Sequence, residues 1–228
     1  MTKAQLCRRI EEERIIAIVR KVYGDDLLFL TEALLDAGIS TLEVTFDQQD
    51  PGCVKKTSGA IAAVLNAFGS RCSCGAGTVL TREQADAAAN AGVSLIISPN
   101  CNEAVIRHTV ELGLVSIPGC MTPSEILAAH DAGADFVKVF PAGSLGTGYI
   151  KNISAPISHV KFLAVGGVDA ENYGAFLKAG CTGAGIGGSL TNRALIAERN
   201  REQLTKNAAQ YVAIARALAV NPEVLFMD

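Results

Sequence analysis

One phrase recurs along the chain: an amphipathic helical stretch runs into Ala-Gly or Leu-Gly and then, at once, into a short β-branched or apolar run. It reads LLDAGIS, AANAGVS, VELGLVS, HDAGAD and LKAGCTG, with glycines at Gly38, Gly92, Gly113, Gly133 and Gly180, and Gly69 of NAFGS as a sixth. Steps of 31, 23, 21, 20 and 47 residues separate them in chain order, and the last is long enough to hold an extra unit. Glycine just past a helix tolerates the left-handed conformation that closes it. A strand following at once makes each unit helix then strand, repeated.

Strands are expected at Ile15 to Arg20, Thr41 to Phe46, Ser73 to Thr78, Leu95 to Ser98, Val115 to Pro118, Phe136 to Phe140, Phe162 to Val165 and Gly183 to Ile186. Helices fill the gaps at Asp25 to Ala37, Thr81 to Ala91, Asn102 to Leu112, Thr122 to Ala132 and Ala170 to Ala179, with Thr81 and Thr122 as N-caps. An extra helix precedes Glu13, and Asn200 to Val220 reads as a closing helix. Eight β/α units in about 200 residues predict an α/β fold of the (β/α)8 TIM-barrel type, a single domain over 1–228. An open, doubly wound sheet is the alternative.

Composition narrows the partners. With 49% hydrophobic and 19% charged residues the chain has ample material for a buried core. A net charge of −3 with no basic run or aromatic ribbon argues against nucleic acid. The amino terminus lacks the apolar region of a signal peptide and no apolar stretch reaches the ~20 residues of a membrane span, so a soluble, cytoplasmic protein is expected. Seven scattered cysteines, never in CxxC, read as reduced structural thiols. Cys72-Ser-Cys74 is the one close pair and lacks a second pair or a neighbouring histidine, and the three histidines are not at ligand spacing, so neither a metal nor a cofactor is expected.

In such a barrel the chemistry sits at the carboxyl ends of the strands. Lys138, a lone cation in Phe136-Val137-Lys138-Val139-Phe140, shares its face with Phe136 and Phe140. Its stem could snorkel to solvent. Inside a barrel, desolvation instead lowers its pKa and a neutral amine can attack a carbonyl to form a Schiff base. Glu43 shares its face with Thr41 and Thr45 and suits acid/base work beside an imine, or a structural ion pair with Lys138. Arg20 ends the first strand, where its fork could hold a substrate carboxylate or a rim salt bridge to Asp25 or Asp26. Thr78 follows Gly75-Ala76-Gly77, glycines that either let backbone approach a ligand or form a plain turn. Two glycine clusters, Gly166-Gly167-Val168 and Gly183 to Ser189, follow the seventh strand and span the eighth; they suit phosphate binding by backbone N–H groups or tight helix–strand packing. The GxGxxG match in the second falls at the last strand, with no further strand to carry a ribose-binding acid.

LEVTF at 42–46, GAGTVL at 75–80, ISPN at 97–100, IPG at 117–119, VKVFPA at 137–142, AVGGV at 164–168 and GIGGSL at 185–190 stand in unbroken order. Together they resemble the bacterial 2-keto-3-deoxy-6-phosphogluconate / 4-hydroxy-2-oxoglutarate aldolase family, from about Ile15 to Leu190. The resemblance implies a metal-independent class I aldolase on a (β/α)8 barrel, usually trimeric, acting on a phosphorylated keto acid. It implies Lys138 as the Schiff-base lysine, Glu43 as the acid/base and Thr78 as a contact to the pyruvyl group. Pro99 and Phe140, in the matching ISPN and VKVFPA motifs, join the substrate-binding set, and Gly166, Gly167, Gly187, Gly188 and Ser189 hold the phosphate. Two positions depart from the gluconate-type pattern: Phe46-Asp47 stands where an arginine usually follows LEVT, and Val165 where a threonine precedes the glycine pair. IIAIVR and AVGGV look more like the 6-phosphogalactonate branch, in which an arginine at the end of the first strand, here Arg20, serves the substrate. A phosphosugar isomerase or epimerase on the same barrel, and a non-catalytic phosphosugar sensor, are the competing expectations.

Overall fold

The computed structural model describes residues 1–220. Its strands are β1 (Ile15–Val19), β2 (Thr41–Thr45), β3 (Ser73–Gly77), β4 (Leu95–Ile97), β5 (Val115–Ile117), β6 (Gly119–Cys120), β7 (Val137–Val139), β8 (Phe162–Val165) and β9 (Gly183–Ile186). The helices are α1 (Lys3–Glu13), α2 (Gly24–Ala37), α3 (Cys53–Phe68), α4 (Arg82–Asn90), α5 (Glu103–Glu111), α6 (Pro123–Asp131), α7 (Ala142–Ser154), α8 (Tyr173–Lys178), α9 (Arg193–Ala197) and α10 (Arg201–Val220). The single domain expected over 1–228 includes 221–228, which lie outside the described residues.

All strand pairs are parallel, and the sheet runs β5-β4-β3-β2-β1-β9-β8-β7-β6. Its two ends, β5 and β6, are halves of one strand interrupted at Pro118, which has no N–H for the ladder. The Pro118 carbonyl still accepts from Lys138 N (2.9 Å), flanked by Asp135 N to Ser116 O (3.0 Å) and Phe140 N to Cys120 O (3.1 Å). These bonds join the ends of the sheet into the expected eight-staved TIM barrel, with the stave expected as one run from Val115 to Pro118 present in two pieces.

The recurring glycines behave as their spacing predicts. Gly38, Gly92, Gly113, Gly133 and Gly180 all have positive φ, between 73° and 113°. Thr81 and Thr122 cap α4 and α6, accepting from Gln84 N and Glu125 N. The helix expected from Ala170 starts only at Tyr173, because the Asp169 carboxylate takes the N–H groups of Glu171 and Asn172 into a turn. Six strands stop one residue before their expected ends, at Arg20, Phe46, Thr78, Ser98, Pro118 and Phe140. These residues stand at the strands' exits, where Phe46, Ser98 and Phe140 still donate one last bond to the neighbouring strand, to Gly77, Ile117 and Cys120.

Strand alternation sorts the apolar side chains into two layers. Leu42, Val44, Val137 and Val139 face outward into the layer shared with the helices. Ile16, Leu95, Ile97, Val115, Ile117, Phe136 and Leu163 fill the barrel interior, and Leu6 and Ile10 of α1 pack against them. The extra helix is thus a plug for the amino-terminal end, which leaves the carboxyl end open. Among the described residues no helix is long and apolar enough to cross a membrane.

Candidate active site

Glu43 at the middle of β2 and Lys138 at the middle of β7 point inward, as their parity requires, and only 2% and 7% of their surfaces remain exposed. Room for the carboxylate comes from β3. A Cβ on Gly77 would lie 2.6 Å from Glu43 Cδ, and one on Gly75 would lie 2.4 Å from Leu95 Cγ. Those two glycines therefore accommodate neighbouring side chains rather than the backbone approach of a ligand. Beneath the pair the interior is filled by Ile16, Ile97, Ile117 and Leu163, leaving a void of about 10 Å³, at the lower edge of what one water needs.

This apolar floor governs the two titrations. Burial pushes the Glu43 carboxyl above its ordinary value, outweighing the opposing charges of Lys138 and Arg20. Burial likewise pushes the Lys138 amine below its ordinary value; Glu43 resists that shift and Arg20 adds to it. Among the described residues, Glu43 Oε2 has no hydrogen-bond partner, so the alternative of a structural ion pair with Lys138 is not realised. Lys138 Nζ lies 4.8 Å from the centroid of the Phe140 ring, which is 38% exposed at the mouth.

Both side chains open onto a cleft of about 510 Å³ at the carboxyl ends of the strands. Arg20, Thr78, Pro99, Phe140, Gly166, Gly167, Gly187 and Gly188 also line it, so ten of the eleven expected site residues converge there. Ser189 is the exception: its hydroxyl accepts from Tyr211 of α10 at 2.8 Å and it does not line the cleft. Arg20 forms no rim bridge among the described residues, since Asp26 is taken by Arg199 at 2.8 Å. Asp47 is outside the cleft, paired with Lys21 at 2.8 Å. Val168 and Gly185, from the two glycine clusters, line the cleft too, and Ile18 lines it unforeseen. Ile18 was readable from parity, two residues before Arg20.

The glycine loops divide into two kinds. Gly166 and Gly167 have φ of 85° and 75°, and a Cβ on either would crowd Phe140 or Gly143, so packing and backbone geometry demand glycine there. Gly187 and Gly188 have no such constraint: a Cβ on Gly187 meets nothing nearer than 3.9 Å, and one on Gly188 nothing within 4 Å. Among the described residues, the N–H groups of Gly167, Val168, Gly188 and Ser189 donate to no protein acceptor. Free donors thus stand in both loops, after β8 and after β9, and Gly167, Val168 and Gly188 among them line the cleft. Cys72 and Cys74 sit in buried surroundings that raise both thiols, Cys72 to about 12, and keep them protonated.

A family model described as KDPG and KHG aldolase matches residues 6–207. The chain is 38% identical over 190 residues to the 2-dehydro-3-deoxy-6-phosphogalactonate aldolase of Escherichia coli strain K12, covering 83% of this chain and 90% of that one. A solved structure described as native KDPGal is similar with a TM-score of 0.81 and 37% identity, over 90% of this chain and 96% of that one. The KDPG aldolase of Legionella pneumophila, with pyruvate captured as a covalent carbinolamine intermediate, is similar with a TM-score of 0.79 and 28% identity, over 89% and 96% of the two chains.

Proposed function

Since the chain belongs to the KDPG and KHG aldolase family, we propose that it is a class I aldolase cleaving a 2-keto-3-deoxy-6-phospho sugar acid to pyruvate and glyceraldehyde 3-phosphate. The observation that carries this reading is the pair Lys138 and Glu43, buried together at the foot of one cleft with pKa values displaced in opposite directions. A lowered lysine gives up its proton more readily and so offers its neutral amine to a carbonyl, and a raised glutamate holds its proton more readily and can act as both acid and base.

In this reading Lys138 Nζ attacks the C2 ketone, and Glu43 protonates the carbinolamine hydroxyl so that it leaves as water. The resulting iminium draws electrons from the C3–C4 bond while the Glu43 carboxylate, directly or through a water, takes the C4 hydroxyl proton. Glyceraldehyde 3-phosphate departs, the enamine is protonated at C3, and hydrolysis of the imine returns pyruvate and the free amine. Arg20 holds the C1 carboxylate with its fork, Thr78 and Pro99 contact the pyruvyl part and Phe140 bounds it. The donors of Gly167, Val168, Gly188 and Ser189 hold the phosphate, Ser189 through its N–H rather than its hydroxyl. The acid is assigned to the galactonate series, because Arg20 faces the cleft whereas Asp47 offers no cation in place of the gluconate-type arginine. On the strength of the family alone, the enzyme is taken as a homotrimer in the cytoplasm.

The test is a retro-aldol assay on the phosphogalactonate-type acid, the phosphogluconate-type acid and non-phosphorylated 4-hydroxy-2-oxoglutarate, in wild type and in Gly187→Val. The galactonate-type acid should be cleaved with the highest kcat/KM. Valine has room at Cβ, so the variant should fold. It should lose about 10²-fold in kcat/KM for the phosphorylated acids and far less for the hydroxyglutarate. Equal losses on both classes would remove the phosphate assignment, and no pyruvate from any acid would remove the aldolase reading.

A further inference from the structure

Among the described residues, four non-glycine residues have left-handed backbone, and two of them, Lys21 and Thr78, stand just past β1 and β3, both at φ 57°. A β-branched threonine rarely adopts this conformation, and such residues persist where their surroundings hold them. The two positions flank β2, whose own exit carries Asp47-Gln48. That dipeptide reaches both sides. Asp47 Oδ2 lies 2.8 Å from Lys21 Nζ, and Gln48 Nε2 donates to the Thr78 carbonyl at 2.8 Å. Gln48 is itself held, since its Oε1 accepts from Gln84 Nε2 at 3.0 Å. Buried Gln84 in turn accepts from Leu80 N at 2.8 Å and is fixed in the first turn of α4.

We infer that Asp47 and Gln48 are positioning residues, a clasp that sets the cleft-facing residues on either side of β2: Arg20 through its neighbour Lys21, and Thr78 through its carbonyl. The substrate roles of Arg20 and Thr78 rest on the aldolase reading above. The clasp also explains how an acid is tolerated beside a site for anionic substrates, because Lys21 neutralises Asp47 and keeps it off the cleft. A purely structural role fits poorly. Lys21 and Gln48 are exposed, and an exposed ion pair adds little to stability. A displacement of about 1 Å in a substrate-positioning residue, by contrast, can cost about 10²-fold in rate.

The test combines backbone ¹³C shifts of Lys21 and Thr78, which report φ, with steady-state kinetics and melting curves. Gln48→Ala, and Gln48→Glu, which keeps the size but cannot donate, should move the Thr78 shifts and leave those of Lys21. Asp47→Ala and Lys21→Ala should do the reverse. Each should lower kcat/KM by about 10- to 100-fold with little change in Tm. Lys21→Ala combined with Asp47→Ala should lose no more than either alone, because the two act as one contact. The reversed pair Lys21→Asp with Asp47→Lys should recover activity. Unmoved shifts would overturn the clasp, and moved shifts with unchanged kcat/KM would overturn its positioning role. A wild-type protein that cleaves none of the acids would contradict the aldolase reading itself, and the shifts would still decide whether the clasp exists.

Discussion

Replacing Lys138 by methionine is expected to abolish cleavage, lowering kcat on the order of 10⁶-fold, as when the nucleophile of a covalent mechanism is deleted. Methionine keeps most of the stem that packs in the barrel and removes an amine that the interior disfavours charging. The variant should therefore fold with a Tm at or above that of wild type. Its advantage in stability should grow as pH falls below the ordinary lysine value. There the unfolded wild-type chain gains a proton that the folded chain, with its lowered amine, resists. A Lys138→Met protein that melts normally and still releases pyruvate would exclude the imine route.

Glu43→Gln should slow the reaction by about 10²- to 10⁴-fold while preserving shape, since it removes a proton carrier and little volume. It should also stabilise the fold. The wild-type carboxylate is buried with one oxygen lacking a hydrogen-bond partner among the described residues, and its pKa is raised chiefly by that burial. Below the ordinary value of 4.5 both folded and unfolded Glu43 are protonated, and the two proteins should differ little in Tm. As pH rises from there through the folded pKa, the unfolded chain ionises first and wild type loses stability that the variant keeps. The difference should be complete above the folded pKa and about 1 to 3 kcal/mol in favour of the variant. Melting curves at about pH 4 and at neutral pH check the sign, and kinetics at neutral pH check the rate. An unchanged rate would assign Glu43 to structure alone.

Much of this is legible in the amino-acid sequence, for reasons that can be named. The helix–glycine–strand phrase carries both the period of the unit and its chirality-permissive stop, so the barrel and its helix ends follow from spacing. Parity put Lys138 on one face with Phe136 and Glu43 on the face opposite Leu42 and Val44, because a strand's side chains alternate whatever lies around it, and those faces are the barrel's interior. What escaped depends on contacts between residues far apart in the chain. Gly77 reads as a ligand-facing glycine until Glu43 is seen to occupy its Cβ position. Asp47 reads only as a departure from the gluconate-type arginine until Lys21, held left-handed just past β1, is seen to pair with it. Ser189 shared its motif with Gly187 and Gly188, yet Tyr211 of α10 claims its hydroxyl. The interruption of the fifth stave at Pro118 was visible as a residue but not as a consequence, since its carbonyl continues the ladder that its missing N–H breaks.

Trapping with sodium borohydride in the presence of pyruvate, followed by peptide mapping, tests the Schiff base most directly, because only an imine yields a stable secondary amine on reduction. The lysine-borne mechanism requires one pyruvyl adduct, on the peptide containing Lys138, formed in step with the loss of cleavage activity. An adduct confined to another lysine, or an active enzyme that borohydride and pyruvate leave unmodified, would contradict it.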